Sequence, residues 1–112
     1  MRISAKQRRA QQRITTAISQ IELALPGSVE VRRTTCGKRN CRCHADPPQL
    51  HGPYNVWTRK VDGKTVTKVL SPEQLADYQP WLDNARELRT LLTELHGLTL
   101  QVIDQDDRWK RR

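Results

Sequence analysis

Apolar residues recur with the period of a helix near the start of the chain. Four of them are spaced four, three and four residues apart: Ile14, Ile18, Ile21 and Leu25. This spacing places the four side chains on one helical face, and Ser4 is a favourable N-cap residue. Because Pro26-Gly27 is incompatible with a continuing helix, we predict one helix, within residues 1–27, that runs from Ser4 to Leu25.

Between residues 28 and 70 the pattern changes to the two-residue alternation of β-strands. Apolar and charged residues alternate from Val29, which indicates a short first strand that ends near Thr35. Two further strands, Tyr54–Val61 and Lys64–Leu70, flank Asp62-Gly63, a dipeptide typical of a two-residue hairpin turn. We therefore predict a three-stranded antiparallel meander with a long loop between its first two strands.

A two-residue turn also determines which side chains share a face of the hairpin. It pairs Val61 with Lys64 and Trp57 with Lys68, whereas a bulged turn would shift this register by one residue. One predicted face mixes apolar and basic side chains: Trp57, Arg59, Lys64, Val66, Lys68 and Leu70. The other face is apolar near Val56 and rich in Thr towards the turn.

The last block, residues 71–112, begins with a helix start signal. Ser71 is followed by Pro72 and, three residues after the cap, by Gln74, a combination that favours a helix N-terminus. Pro80 is expected to kink or restart this helix. An apolar stripe follows, widened by Leu91 and Leu98: Trp81, Ala85, Leu88, Leu92, Leu95, Thr99, Val102 and Trp109. Such a seam is typical of a helix that packs on another helix, either the N-terminal one or the same helix of a second copy.

Composition and length indicate a single domain over residues 1–112 with a thin core. The chain has no Phe, three Trp and two Tyr among its 112 residues, so a bound metal or a partner chain would help to stabilise it. No apolar run approaches the roughly 18 residues of a membrane span, and the N-terminus lacks a secretory h-region. We therefore expect a cytoplasmic protein without membrane contact, whose thiols stay reduced.

All three cysteines and two of the three histidines lie between residues 36 and 51. Cys36, Cys41 and Cys43 form the pattern C-x4-C-x-C, which His44 and His51 follow. Because Zn²⁺ prefers thiolate and imidazole ligands in a tetrahedron, three thiols and one histidine predict a Cys3His zinc centre. His51 is the preferred fourth ligand, since the chain turns into the hairpin directly after it, while His44 is awkwardly adjacent to Cys43. The competing interpretation is a set of free thiols in a basic loop.

The segments CGKRNCRC and HGPYNVW resemble a family of small bacterial proteins of unknown function. The family pattern is CGK-x-x-C-x-C, a short spacer and HGPY, followed by a three-stranded stretch that leads into a helix, and the resemblance covers about residues 29–95. It implies mobile-element and transposase surroundings. The family often has a second aromatic where this chain has Asn55, so an aromatic platform is thinner here. The resemblance implies that the matching ligand positions are Cys36, Cys41, Cys43 and His51.

The charge distribution points to a polyanionic partner. The net charge is +8, but residues 1–70 carry +10 and residues 71–112 carry −2. We predict a zinc-stapled accessory protein that binds DNA, although RNA fits the charge equally well. Arg59 is best suited to bidentate reading of guanine, and Trp57 could stack on single-stranded bases. The predicted contact residues are Arg8, Arg9, Arg13, Lys38, Arg39, Arg42, Trp57, Arg59, Lys64 and Lys68.

Other functions compete with this prediction. The basic residues could form solvated faces, and Trp57 could belong to the core. Alternatively, the chain is an interaction adaptor whose C-terminal helix forms a homodimer or docks on a larger partner such as a recombinase or transposase. We do not expect an enzyme, because three cysteines and a histidine fill the coordination shell of zinc and leave no open position.

Overall fold

The structure, a computed structural model, describes residues 2–110. In chain order, these residues form helix α1 (Ala5–Ser19), strands β1 (Ser28–Thr34), β2 (His51–Val61) and β3 (Lys64–Leu70), and helix α2 (Pro72–Asp104). Two short 3-10 turns occupy Arg42–His44 and Asp107–Lys110. The predicted α+β fold, with a helix, a three-stranded antiparallel sheet and a long C-terminal helix, is confirmed. Neither described helix contains a stretch apolar enough, over the necessary length, to cross a membrane.

A reciprocal pair of hydrogen bonds starts helix α1. The Gln7 amide donates to Ser4 Oγ at 3.0 Å, and the Ser4 amide donates to Gln7 Oε1 at 3.0 Å. This capping box satisfies two amides that have no partner within the helix. Ser4 is therefore the N-cap, as predicted, and Gln7 is buried in a stretch that its polar sequence suggests is solvated.

Helix α1 ends at Ser19, so the prediction that it continues to Leu25 is wrong. The Ser19 hydroxyl donates to the carbonyl of Thr16 at 2.6 Å, and bonds of this kind compete with the helical pattern. Farther along, the Leu23 carbonyl accepts a hydrogen bond from Asn84 Nδ2 at 2.8 Å. The segment after the helix therefore obtains a partner from α2, which local periodicity does not reveal.

The sheet has the order β1-β2-β3, and both pairs of neighbouring strands are antiparallel. Val61 lies opposite Lys64 and Trp57 opposite Lys68, so the predicted hairpin register is confirmed. The turn residues Asp62 and Gly63 have φ values of 50° and 78°. Positive φ at both positions is the geometry of a two-residue turn that follows the twist of the strands.

Helix α2 is continuous through Pro80, so the structure shows no restart there. Proline removes the amide that would bond to the carbonyl four residues earlier, that of Ala76. Both Pro80 and Ala76 are exposed, and water can therefore satisfy that carbonyl. Around the proline, the rings of Tyr78 and Trp81 stack with centroids 5.8 Å apart.

At three places along α2, the residue that faces inward is the direct neighbour of the residue in the predicted stripe. Trp81, Leu92 and Thr99 are exposed, while their neighbours face inward. The buried or half-buried positions are Leu82, Ala85, Leu88, Leu91, Leu95, Leu98 and Val102. Trp109, the last residue of the predicted stripe, is also exposed. Steps of three and four residues connect either set, so periodicity alone does not decide between Leu91 and Leu92.

The described chain groups into two compact units. One consists of the residues up to Leu25 together with those from Asp83 onward, and the other is Pro26–Leu82. In the first unit, Gln7 bonds to Gln101 and Arg13 to Glu94. Because position increases along α1 while it decreases along α2, the two helices run antiparallel. The second unit contains the sheet, the cysteines and the first turns of α2.

Candidate metal centre

Strand pairing brings the two ends of the cysteine-containing loop together. This metal-site loop comprises residues 35–50, between β1 and β2. Thr34, at the end of β1, lies opposite His51, the first residue of β2. Cys36 follows Thr34 by two residues, so the ladder itself places the first cysteine and the second histidine of the pattern side by side.

Gly52 makes this close approach possible. Its φ of +116° lies in the region that residues with a side chain rarely adopt, and a Cβ there would lie 2.7 Å from the Arg32 carbonyl oxygen. The strand register is also irregular between Arg32 and Thr34. Glycine directly after His51 therefore allows β2 to start against β1 without a clash.

Four potential ligands converge in this part of the chain: Cys36, Cys41, Cys43 and His51. Their ligand atoms all lie within 4.8 Å of one another. Cys36 Sγ is 3.7 Å from Cys43 Sγ, and Cys41 Sγ is 3.1 Å from His51 Nε2. This Cys3His cluster, which lies in the loop before the hairpin and at the start of β2, could hold a metal ion.

The cluster is largely shielded from solvent. The Cys43 side chain is buried, with 1% exposure, and the other three ligands are half-buried. The Cys36 amide donates to Cys43 Sγ at 3.3 Å, an interaction that favours a thiolate at that position. No carboxylate joins the cluster within the described part of the chain.

The thiols of Cys41 and Cys43 differ in acidity. A backbone hydrogen bond from Cys43, followed by side-chain hydrogen bonds from Cys43 and Cys36, lowers the pKa of the Cys41 thiol to about 6. Burial raises the pKa of the Cys43 thiol. Without a metal, Cys41 is therefore the more nucleophilic of these two thiols at neutral pH.

His44 lies beside the cluster in a different role. Its Nε2 is 2.7 Å from the carbonyl oxygen of Cys36, whereas Nε2 of His51 contacts a thiol. The sequence favours His51 over His44 as the fourth ligand, and the structure places His51 in the cluster. The hydrogen bond between His44 and the backbone of a ligand residue was missed, because no sequence pattern specifies such a contact.

Exposed cations surround the cluster. Lys38, Arg39 and Arg42 are all exposed, and none forms an ion pair within residues 2–110. The Lys38 carbonyl accepts a hydrogen bond from the Cys41 amide at 3.2 Å. The Arg42 carbonyl accepts bonds from two amides farther along the loop, each at 3.0 Å. The loop therefore presents three unneutralised cations on a backbone that is hydrogen-bonded beside the ligands.

The hairpin cations occupy two different environments. The Arg59 guanidinium lies 4.3 Å from the centre of the Trp57 ring, and its Nη1 is buried with no hydrogen-bond partner among residues 2–110. Trp57 Nε1 in turn donates to the Pro26 carbonyl at 2.9 Å. Lys64 and Lys68, on β3, are exposed. One ring face of Trp57 is therefore covered by Arg59, and the two lysines are the freely accessible cations of this face.

The predicted contacts on α1 are also exposed. Arg8 and Arg9 have no ion pair among the described residues, whereas Arg13 forms one with Glu94 at 2.5 Å. Both partners of that pair are well exposed, so the pair adds little stability. These arginines belong to the first compact unit, while the loop and the hairpin belong to the second. Nucleic-acid binding by any of these residues stays a prediction.

Comparison with known proteins places the chain in a family. No curated protein and no solved structure matches it. One family model matches residues 5–80, from α1 through the sheet and the metal-site loop to the start of α2. This match begins and ends earlier than the resemblance over residues 29–95 predicts. Because it covers more than half of the chain, the protein belongs to the family described as Domain of unknown function (DUF6788).

Proposed function

We propose that this protein is a zinc-stapled accessory protein that binds DNA. The distance between Cys36 Sγ and Cys43 Sγ, 3.7 Å, carries the zinc assignment. Two thiolates at about 2.3 Å from a tetrahedral zinc ion are about 3.8 Å apart. The corresponding separation of a thiolate and an imidazole nitrogen is about 3.6 Å, so the contact between Cys41 and His51, at 3.1 Å, needs to open only slightly.

The proposed zinc centre is structural. Three cysteines and one histidine complete a four-coordinate shell, whereas catalytic zinc sites keep a position for water or substrate. The ligands come from a loop and from the first residue of a strand, so one ion cross-links them. We therefore propose no catalytic role for this centre.

DNA is the proposed partner because exposed cations without ion pairs recur on α1, the metal-site loop and the hairpin. Side chains of this kind release counterions from the duplex when they contact phosphates. RNA carries the same backbone charge and is the alternative target. A recombinase or transposase as a further partner rests on the resemblance to the small bacterial family described above.

Three measurements test this proposal. Elemental analysis of the purified protein should find about one zinc ion per chain, and cobalt substitution should give the visible absorption of a tetrahedral site with thiolate ligands. Fluorescence anisotropy with duplex, single-stranded and RNA probes at several salt concentrations should show tightest binding to duplex DNA and a steep loss with salt. If no probe binds at low salt, the DNA-binding proposal is wrong.

A second candidate function is self-association through α2. Leu92, Leu100 and Ile103 are 41%, 58% and 36% exposed. Their spacing of eight and three residues places them on one side of the helix. This apolar strip favours a homodimer or an adaptor role.

Replacing Leu92 with Glu should shift the protein towards monomers. A charge in the apolar strip would need to be buried without a partner in the proposed dimer. Replacing Thr90 with Glu adds the same charge at an exposed position on another side of the helix and should have no effect. Sedimentation equilibrium measures both variants, and a wild-type protein that is monomeric at high concentration would refute self-association.

A further inference from the structure

We infer that metal and DNA bind to this protein cooperatively, because the metal holds the cations of its own loop in position. This inference rests on the proposed function and assigns a regulatory role to the same site. Arg42 lies directly between the ligands Cys41 and Cys43. Lys38 and Arg39 lie in the short span between Cys36 and Cys41. Every cation of the loop is therefore within two residues of a metal ligand.

Hydrogen bonds extend this connection from the ligands to the backbone of the cations. The Lys38 carbonyl accepts from the Cys41 amide at 3.2 Å, and it lies 4.0 Å from Cys36 Sγ. The Arg42 carbonyl accepts from the amides of Ala45 and Gln49. Coordination of the cysteines thus restricts the backbone at both Lys38 and Arg42.

Little else in the loop could order these cations. Residues 35–50 contain only one three-residue 3-10 turn, and Cys43 is their only buried side chain. A loop without a core of its own loses its conformation when the cross-link between its ends is removed. Without metal, the three cations would therefore have to be ordered at the moment of DNA binding, and this ordering weakens affinity.

Whether zinc strengthens or weakens DNA binding distinguishes ordering of the loop cations from simple electrostatics. A Zn²⁺ ion with three thiolates and one neutral imidazole has a net charge of −1, so the centre itself does not attract phosphate. Electrostatics alone would make metal binding weaken DNA binding, or leave it unchanged. Cooperative binding would therefore come from the positions of cations that the metal orders, and those nearest to the ligands are Lys38, Arg39 and Arg42.

Because the two binding equilibria are thermodynamically linked, the coupling can be measured through the zinc affinity. If zinc strengthens DNA binding by some factor, DNA strengthens zinc binding by the same factor. We expect a factor on the order of 10, within the range typical of coupled sites. The factor should decrease as salt weakens the phosphate contacts.

The experiment measures the zinc affinity of the full chain by competition with a chelator, with and without a saturating short DNA duplex. Three proteins are compared: the wild type, a loop variant (Lys38→Ala, Arg39→Ala, Arg42→Ala) and a helix variant with equal charge loss (Lys6→Ala, Arg8→Ala, Arg9→Ala). Anisotropy sets the saturating DNA concentration for each protein, and a titration of chelator with DNA alone corrects for zinc bound by the duplex. Circular dichroism verifies the fold of each zinc-loaded protein.

We expect DNA to raise the zinc affinity of the wild type and of the helix variant about 10-fold, and that of the loop variant by a clearly smaller factor, because only the hairpin cations of the same unit remain to couple the two sites. If DNA binds the wild type without raising its zinc affinity, the inference is wrong while the DNA-binding proposal stands. If the loop variant keeps the full factor, the coupling comes from other contacts and the inference is also wrong. If the zinc-loaded wild type binds no DNA at low salt, the proposed function fails first.

Discussion

The Cys41→Ser variant is expected to lose both its metal and the folded state of the unit Pro26–Leu82. Within the described residues, this unit has only four buried apolar side chains: Cys43, Val56, Leu70 and Leu82. So small a core supplies little of the free energy that offsets chain entropy. Structural zinc contributes about 10–16 kcal/mol in small domains, which is comparable to the whole stability of a typical domain, about 5–15 kcal/mol. Elemental analysis and circular dichroism of the purified variant measure both losses.

Three further substitutions separate ligand loss from local damage. Asn40→Ser introduces the same side chain at an exposed position next to Cys41 and should keep the metal. His51→Ala should release the metal, because His51 Nε2 lies in the cluster. His44→Ala should retain it with a lower affinity, since the His44 imidazole bonds to the Cys36 carbonyl beside the cluster. A wild-type protein that is fully folded without metal would refute this prediction.

Replacing Arg59 and Lys68 with Ala should make DNA binding less dependent on salt. Each phosphate contact contributes about 0.9 to the slope of log affinity against log salt for duplex DNA, so the slope should fall by about 2. Arg59 also stacks on Trp57, and losing this contact should cost about 0.5–1 kcal/mol of folding stability. Anisotropy over a range of salt concentrations measures the slope, and zinc content should not change.

The exposed residues Lys64 and Lys68 on β3 isolate the electrostatic contribution to the salt dependence of DNA binding. Lys64→Ala with Lys68→Ala removes two accessible cations, and it should lower the slope by a similar amount without changing stability. Arg86→Ala with Arg89→Ala removes the same charge from exposed positions on α2 and should leave the slope unchanged. An effect of Arg59 alone, limited to some DNA sequences, would indicate base reading. Equal slopes in all variants would show that the hairpin does not contact DNA.

The hairpin and the three cysteine ligands could be predicted from the sequence because both depend on short-range geometry. Asp62-Gly63 adopts the positive φ values that a two-residue turn requires, and this turn sets the register of β2 against β3. The cysteines lie within eight residues of one another, so one short loop can bring them together. The helix starts at Ser4 and Ser71 are local as well, since each N-cap bonds to a residue three positions later.

The tertiary structure decided the features that depend on which surfaces meet. Beyond the end of helix α1, the Leu23 carbonyl finds a hydrogen-bond donor on α2, 61 residues away in the chain. Leu91 is buried instead of Leu92 because the packed side of α2 selects between two positions that periodicity treats alike. His51 lies in the cluster because the pairing of β1 with β2 carries it to Cys36, while His44 bonds to a backbone carbonyl. Local sequence thus determines turns, caps and closely spaced ligands, whose energies depend on neighbours in the chain. Helix ends, buried faces and the choice between two histidines depend on contacts between distant segments, which exist only once the chain has folded.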